Sequence, residues 1–325
     1  MKMKYVQNLG LNRDKPPRKV IIGTSLLGFW GRYPGLDKRL KELGKLIDEI
    51  VGASGKKYSG RKPDIIALPE FAVNGGLKGH ASVTAQELQG PVLVSMAAKA
   101  GEHGCYLAVP LYMIENRKKG IYFNIVALLD RKGKLTGIYR YAHPSGDEIK
   151  NGLTPGKDFP VFNCDFGRVG IQICGDVLWQ NGWRSLKRKG AELVILTAQP
   201  PWPLATSMQA RTNQYYVVTS TWRNSAALFS PTGHVLSEIK SGKSRVMAQE
   251  IDLNYVILGW QSALGSGKSF DRKYGKRAGY RYWEEDDCGL FWSNDKKKSI
   301  LSMLHELGLK TLDEEFMESF VRRRQ

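Results

Sequence analysis

Two residues of this chain stand where an apolar run gives way to a turn, a placement that suits catalysis. Cys174 follows the run Gly170–Ile173 and precedes a glycine, and Glu70 follows the run Ile65–Leu68 and a proline. A thiol held at such a turn can attack an electrophilic carbon, and the backbone N–H groups of the turn can stabilise the charge that develops. A carboxyl group beside a buried strand has its pKa raised by desolvation and can act as a general base near neutral pH. Taken singly, the cysteine also fits a small buried hydrophobic residue and the glutamate a solvated loop residue.

The elements around these residues predict the α/β class. Continuous apolar runs without alternation predict strands that are buried on both faces: Val20–Thr24, Asp64–Leu68, Cys105–Val109, Val169–Ile173, Leu193–Thr197 and Tyr215–Thr219. Apolar spacing of three and four residues, or helix-favouring composition, predicts helices over Gly35–Ser54, Pro91–Glu102 and Arg184–Lys189. Sheets of this kind need layers of helix to cover them.

Two segments read as β-hairpins that are similar to each other. Phe123–Tyr139 turns at Asp130–Gly133, and Ala226–Ile239 turns at Ser230–Gly233. The two segments align at an offset of 100 residues, with Gly133 against Gly233. This alignment predicts a molecule with two similar β-rich halves.

The region after residue 260 reads differently from the rest. Its pattern decays into glycine, lysine and aromatic residues, followed by two amphipathic helices over Lys298–Leu307 and Leu312–Val321. We therefore predict a basic N-terminal arm (1–19), one domain (20–260) and a C-terminal extension (261–325).

The net charge of +18 on 325 residues is the most unusual feature of the composition. Residues 1–260 carry a net +16, but in short scattered clusters such as Arg117–Lys119 and Lys187–Lys189. A nucleic-acid-binding surface more often concentrates its charge on one element and interleaves it with aromatic residues. The pattern favours a solvated basic surface, and binding of a polyanion is the least favoured function.

Several other classes are excluded by composition. With 42% hydrophobic and 25% charged residues, the chain is not wholly disordered. No run approaches the roughly 18 apolar residues of a membrane span, and the polar N-terminus lacks the apolar stretch of a usual signal peptide. The four cysteines form no CxxC pair, so we expect neither a metal site nor a disulfide framework. A reducing, cytoplasmic setting is the expectation.

The order and spacing of several motifs resemble the nitrilase, or carbon–nitrogen hydrolase, superfamily over roughly residues 20–255. The resemblance implies a four-layer αββα sandwich and a Glu–Lys–Cys triad that cleaves amides, nitriles, carbamoyl or ureido groups of small molecules without a cofactor. The matching segments are Leu68–Phe71, Asp130–Arg140, Thr154–Gly156 with Phe159–Phe162, Gly167–Asp176, Trp183–Arg184 and Lys189–Val194.

The resemblance assigns a role to each candidate site residue. It implies that Glu70 is the base and Cys174 the nucleophile that forms a thioester. Gly175 and Asp176 follow the nucleophile as in the family, and Glu148 matches the family's second glutamate. These three are expected to orient the catalytic groups or to bind substrate, although Glu148 also fits a solvated loop carboxylate.

The chain departs from the family at the lysine. The family pattern is Tyr-Arg-Lys followed by one residue and His, whereas Tyr141 stands at the lysine position here, two residues before His143. A phenol donates one hydrogen bond but carries no charge at pH 7, and loss of an oxyanion donor costs on the order of 10²–10³ in rate. Arg140 is a poor replacement because neighbours in a strand face opposite ways. Lys134 and Lys150 are the candidate substitutes, and His143 reads as a loop residue that makes a hydrogen bond.

Three functions follow, in order of preference. The first is a thiol hydrolase that acts on a non-peptide carbon–nitrogen bond of a small molecule. The second is a binding or regulatory protein on the same fold, with catalysis lost at Tyr141. The third is the polyanion binder. Family resemblance also implies a homodimer or larger homo-oligomer, with the C-terminal extension at the subunit interface.

Overall fold

A computed structural model of the chain describes residues 14–242 and 244–323. The described residues group into two compact units. The larger unit contains residues 21–229 and 233–250, and the smaller unit contains residues 14–20, 230–232 and 251–323. No helix within the described ranges has both the length and the apolar composition that a membrane crossing requires.

The larger unit alternates strands with helices along the chain. Its strands are β1 (Lys19–Ser25), β2 (Ile65–Ala67), β3 (Gln86–Glu87), β4 (Tyr106–Asn116), β5 (Ile121–Leu129), β6 (Leu135–Arg140), β7 (Val161–Cys164), β8 (Gly167–Ile173), β9 (Leu193–Thr197), β10 (Tyr216–Ser220), β11 (Ser225–Phe229), β12 (Val235–Lys240) and β13 (Val246–Asp252). Its helices are α1 (Leu36–Lys57), α2 (Ala81–Thr84), α3 (Pro91–His103), α4 (Gly146–Lys150), α5 (Gln180–Arg188) and α6 (Pro203–Asn213). Every strand and helix predicted within residues 20–260 is present, with shifted ends.

The strands form two sheets. The first has the order β13-β1-β2-β4-β5-β6, with β3 paired to β4, and the second has the order β12-β11-β10-β9-β8-β7. In the first sheet β1, β2 and β4 are parallel, and in the second β8, β9 and β10 are parallel. Parallel strands end at the same edge of a sheet, so residues that follow β2 and β8 are gathered at two such edges.

Helices cover the outer face of each sheet. Leu43 and Ile47 of α1 and Met96 of α3 are buried in one cluster with residues of β2, β4 and β5. Trp183 of α5 and Ala210 of α6 are buried in another cluster with residues of β9 and β10. The inner faces of the sheets meet where the Thr24 hydroxyl donates to the Thr219 carbonyl oxygen over 2.7 Å. The larger unit is therefore the four-layer αββα sandwich that the sequence predicts.

The two predicted hairpins share one register. Leu128 of β5 pairs with Gly137 and Leu129 pairs with Leu135, so β6 bulges by one residue. In the second hairpin, Leu228 pairs with Ser237 and Phe229 pairs with Val235. Each pairing, including the bulge, repeats at an offset of 100 residues, which confirms the predicted similarity of the two halves.

The smaller unit has a sheet and a core of its own. Strands β14 (Tyr255–Gly259), β15 (Ala278–Trp283) and β16 (Cys288–Ser293) form an antiparallel sheet of order β14-β16-β15, accompanied by helices α7 (Lys268–Tyr274), α8 (Ile300–His305) and α9 (Leu312–Arg322). Phe270, Phe291 and Met303 are buried together. The two predicted C-terminal helices are confirmed as α8 and α9. The strands were not predicted, because β15 is built from glycine, arginine and aromatic residues rather than an aliphatic run.

The predicted boundaries at residues 19 and 260 stay predictions. Residues 1–13 of the predicted N-terminal arm lie outside the described residues. The rest of the arm belongs to the smaller unit, where Asp14 accepts a hydrogen bond from the Ser299 hydroxyl at 2.8 Å and Lys19 pairs with Asp252 at 3.2 Å.

Candidate active site

Glu70 is held in place by three backbone and side-chain donors. It follows β2 after Leu68 and Pro69 and is 1% exposed. The Asn124 amide donates to its Oε1 over 3.2 Å, and the Gln199 backbone N–H donates to its Oε2 over 3.1 Å. The Trp222 indole N–H donates to its backbone oxygen. Because Gln199 follows β9 of the second sheet, these contacts join the ends of parallel strands from both sheets.

Cys174 begins a tight turn directly after β8. Its φ of +40° lies in the left-handed region, which costs a non-glycine residue on the order of 1–3 kcal/mol and persists only where the surroundings impose it. A short 3₁₀ turn then runs over Cys174–Leu178. The Cys174 thiol donates a hydrogen bond to the Glu70 carboxylate. The structure thus brings together the two residues that the sequence singled out.

The electrostatics of this pair are set mainly by burial. Desolvation raises the pKa of Glu70 to about 8, and the nearby charge of Glu148 raises it further. The hydrogen bonds from Cys174, Asn124 and Gln199 act the other way. Burial, followed by the charge of Glu70, holds the pKa of the Cys174 thiol well above its usual range. The thiol is therefore protonated at neutral pH and needs Glu70 to remove its proton.

Tyr141 contacts the turn that carries the nucleophile. It follows β6, where its backbone N–H donates to the Asn124 carbonyl oxygen over 2.9 Å, and its side chain is buried. Its hydroxyl oxygen accepts a hydrogen bond from the backbone N–H of Gly175 at 2.8 Å. Burial and the charges of Cys174 and Glu70 raise the pKa of Tyr141, so the phenol is neutral. The hydroxyl proton remains available for donation.

None of the three basic residues considered as replacements for the lysine reaches this site. Arg140 faces away, as the alternation of a strand predicts, and pairs with Glu115 at 2.9 Å. Lys150 is exposed and lies 3.7 Å from the Asp147 carboxylate. Lys134 is exposed in the hairpin turn. The suggestion that Lys134 or Lys150 replaces the lysine is therefore wrong.

Glu148 points one of its two oxygens toward the site. Its Oε2 caps α4, accepting from the backbone N–H of Ser145 at 2.8 Å and from the Ser145 hydroxyl at 3.0 Å. Its Oε1 is buried and has no hydrogen-bond donor among the residues that the structure describes. Glu148 lines the same cavity as Glu70 and Cys174. The alternative interpretation, a solvated loop carboxylate, does not fit this burial.

Asp176 organises the wall behind the nucleophile. It is fully buried and accepts from the Tyr139 hydroxyl at 2.5 Å and from the backbone N–H of Ile173 at 3.0 Å. The Nδ1 atom of His143 lies 2.7 Å from its Oδ1. Asp176 is absent from the residues described as lining the cavity, which favours a positioning role over substrate binding.

His143 was predicted only to make a hydrogen bond, and the structure adds a position to that prediction. Its ring lines the cavity and stacks on Trp179, with ring centroids 4.8 Å apart and planes 5° apart. Nothing in the local sequence signals this, because the contact joins residues 36 positions apart that only the packing of β6 beside β8 brings together.

The cavity around Cys174 has a volume of about 730 Å³, enough for a small molecule. Its mouth is aromatic and aliphatic, with Trp179, Trp202 and Leu178 on the wall and the exposed cation Arg223 beside them. Phe71, Glu148 and Gln199 also line a second cavity of about 360 Å³.

One cluster in the described part of the chain has metal-ligand geometry. The ligand atoms of Asp48, Glu102 and His103 lie within 4.8 Å of one another. The Lys99 ammonium lies 2.9 Å from both Asp48 Oδ1 and Glu102 Oε2, so these carboxylates already have a cation. The cluster is on α1 and α3 and shares no residue with the cavity.

Comparisons with known proteins agree with this site. The sequence profile of the carbon-nitrogen hydrolase family matches residues 33–258. A probable nitrilase of Schizosaccharomyces pombe is 24% identical over 232 residues, covering 66% of this chain and 83% of that protein. An omega-amidase of Xenopus tropicalis is 26% identical over 228 residues, covering 62% of this chain and 81% of that protein.

The fold has a solved counterpart as well. The crystal structure of Saccharomyces cerevisiae Nit3, a member of branch 10 of the nitrilase superfamily, matches with a TM-score of 0.62 at 18% identity, over 72% of this chain and 90% of that one. The profile covers more than half of the chain and includes both Glu70 and Cys174. With the sandwich architecture and the thiol–carboxylate pair already in place, this chain belongs to the carbon-nitrogen hydrolase family.

Proposed function

We propose that this protein hydrolyses a non-peptide carbon–nitrogen bond of a small molecule, in an amide, carbamoyl or nitrile group, through a thioester on Cys174. The observation that carries the proposal is the hydrogen bond from the Cys174 thiol to the buried Glu70 carboxylate inside a cavity of small-molecule size. The names of the relatives, a probable nitrilase and an omega-amidase, support the same reaction class.

The residues divide the steps for an amide as follows. Ionised Glu70 takes the thiol proton, and the Cys174 sulfur attacks the carbonyl carbon. The Tyr141 hydroxyl donates to the oxygen on which charge develops, while Gly175 N–H donates to the hydroxyl and polarises it. Glu70 then gives its proton to the leaving nitrogen, so that ammonia or an amine departs and a thioester remains. Water attacks the thioester with Glu70 again as base, and the acid product and free thiol are released.

A second function is favoured by one observation. The hydroxyl of Tyr141 takes up the Gly175 N–H, and its own proton is then a single uncharged donor where the family has a cation. A protein with so weak an oxyanion site is also suited to binding a small molecule without cleaving it. In that case we expect saturable binding of amides or nitriles and no covalent adduct on Cys174.

The test is an ammonia-release screen over amides, nitriles and carbamoyl compounds, with mass spectrometry of the intact protein to detect an acyl group on Cys174. We expect activity that is lost in Cys174→Ala and kept in Cys164→Ala, a matched thiol at the end of β7. A complete absence of turnover and adduct would leave the binding protein as the function. Nucleic-acid affinity that falls steeply with salt would instead indicate the polyanion binder. A homodimer and a cytoplasmic setting stay predictions.

A further inference from the structure

The wall around Cys174 is rich in hydrogen-bond acceptors. Besides the Glu70 carboxylate, it contains the buried and unpartnered Oε1 of Glu148. The Oδ1 atom of Asn124 is likewise buried without a donor among the described residues, in a side chain that is 2% exposed. Because its amide nitrogen contacts Glu70 Oε1, the unpartnered oxygen lies beside the same carboxylate. Two orphaned acceptors next to a nucleophile indicate a ligand that brings N–H donors.

Donors in the described part of this wall are few and already used. The Gly175 N–H donates to Tyr141, and the Gln199 N–H donates to Glu70. The Tyr141 hydroxyl proton is the donor that remains beside the turn. The groups that act most strongly on the pKa of Glu70 are burial, a carboxylate and three hydrogen-bond donors, and none of them is a cation.

Two cations line the cavity farther out. His143 is held against the buried Asp176 carboxylate, which balances its charge when it is protonated. Arg223 is exposed to solvent. Their charges are compensated or screened by water, so the electrostatic character beside Cys174 is set by Glu70 and Glu148.

The charge of the electrophile decides which reaction this wall suits. Attack of a thiolate on a neutral carbonyl creates an oxyanion, which needs donors or positive charge. Attack on an amidinium or guanidinium carbon cancels the positive charge that the substrate brings, and the tetrahedral adduct is neutral. Such a cation also presents several N–H donors in the planar arrangement that carboxylates accept well.

We propose that the substrate of this site carries an amidinium or guanidinium group as its electrophile, with N–H groups donating to Glu148, Asn124 and Glu70. This inference rests on the hydrolase proposed above and narrows its substrate class. A bound cation also favours the ionised form of Glu70, which is the form that accepts the thiol proton.

The reaction balances without a cofactor. Glu70 takes the thiol proton, and sulfur bonds to the amidinium carbon, giving a neutral adduct with two amino groups. Glu70 returns the proton to one amino group, the carbon–nitrogen bond breaks, and ammonia leaves a thioimidate on Cys174. Water adds with Glu70 as base, the carbon–sulfur bond breaks, and an amide and the thiol are released. The sum is amidinium plus water giving amide plus ammonium.

The test compares two alkylating probes of matched size, 2-chloroacetamidine, which is cationic at neutral pH, and neutral 2-chloroacetamide. Each rate of Cys174 labelling is divided by the rate with free N-acetylcysteine to remove intrinsic reactivity. We expect the cation to label Cys174 roughly 10- to 100-fold faster than the amide, the equivalent of one charge-assisted hydrogen bond. A butyramidine and butyramide pair, followed by ammonia release, tests turnover.

Variants identify the groups responsible. Glu148→Gln should remove most of the preference, whereas Asp147→Asn, its exposed neighbour on α4, should keep it. Tyr141→Lys should reverse the preference, because an ammonium group beside Cys174 repels the cation. Equal labelling by both probes, with Glu70-dependent rates, would overturn this inference and leave the proposed hydrolase standing. Failure of both probes to label Cys174 would overturn both.

Discussion

Each half of the sandwich consists of three parallel strands followed by an antiparallel hairpin, and the two hairpins repeat the same register and bulge at an offset of 100 residues. The first half supplies Glu70 after β2 and Tyr141 after β6. The second half supplies Cys174 after β8 and the Gln199 N–H after β9. Strand pairing therefore builds the same scaffold twice, and the residue that follows each strand decides which chemical group the half contributes.

The hairpins show where the likeness ends. The first hairpin continues past β6, where Tyr141 bonds to Asn124 and reaches Gly175 of the other half. The second hairpin ends at the exposed residue Lys240. Although their registers match, one of the two is part of the catalytic wall and the other is part of the scaffold.

Removing the base of the first half should have the largest effect. Glu70→Gln keeps the shape of the side chain but cannot take the thiol proton, so we expect kcat/KM to fall on the order of 10²–10⁴-fold. The measurement is steady-state ammonia release on the best substrate of the screen. Because base and nucleophile act as a unit, adding Glu70→Gln to Cys174→Ala should cause no further loss. An additive loss would show that the halves act separately.

The hydroxyl that joins the halves should matter less. Tyr141→Phe removes its donated hydrogen bond but frees the Gly175 N–H, which can then donate to the substrate directly. We expect kcat to fall roughly 10- to 100-fold, less than the loss of an oxyanion donor with no replacement. Comparing kcat with KM separates this from a packing defect, which would alter both. An unchanged kcat would mean that Tyr141 only supports the turn.

The raised pKa of Glu70 predicts the pH dependence of activity. The base works in its ionised form, and burial raises its pKa to about 8, so kcat/KM should rise about tenfold per pH unit below that value and level off above it. An ordinary carboxyl group would give a plateau from about pH 5 upward. The profile is measured in Asp147→Asn in parallel, which should leave the midpoint unchanged.

The smallest effect on activity should come from the repeated hairpins. Leu128 and Leu228 occupy equivalent places and are both fully buried, so each change to alanine should lower the free energy of unfolding by about 2–5 kcal/mol. Only Leu128→Ala, in the hairpin that continues to Tyr141, should also lower kcat, by a few-fold. Denaturant unfolding and ammonia release measure the two effects. Equal losses of kcat in both variants would contradict the division between wall and scaffold.

Much of this molecule follows from patterns within short stretches of chain. The apolar runs that end at Glu70 and Cys174 predict both the strands and the turns behind them, since a buried strand must end where polar backbone returns to solvent or to a site. The likeness of the hairpins is also local, because turn chemistry and alternation set a register within a few residues. The family likewise rests on motifs in order along the chain.

What only the tertiary structure decided concerns pairs that are far apart in sequence. The contact of Tyr141 with Gly175, the Nδ1 atom of His143 beside Asp176 and the orphaned oxygen of Glu148 depend on how β6, β8 and α4 pack. The type of each residue could be read beforehand, but whether Lys134 or Lys150 could replace the lysine depended on distances between side chains. A hydrogen bond needs its atoms within about 3 Å, and that precision comes from packing in three dimensions.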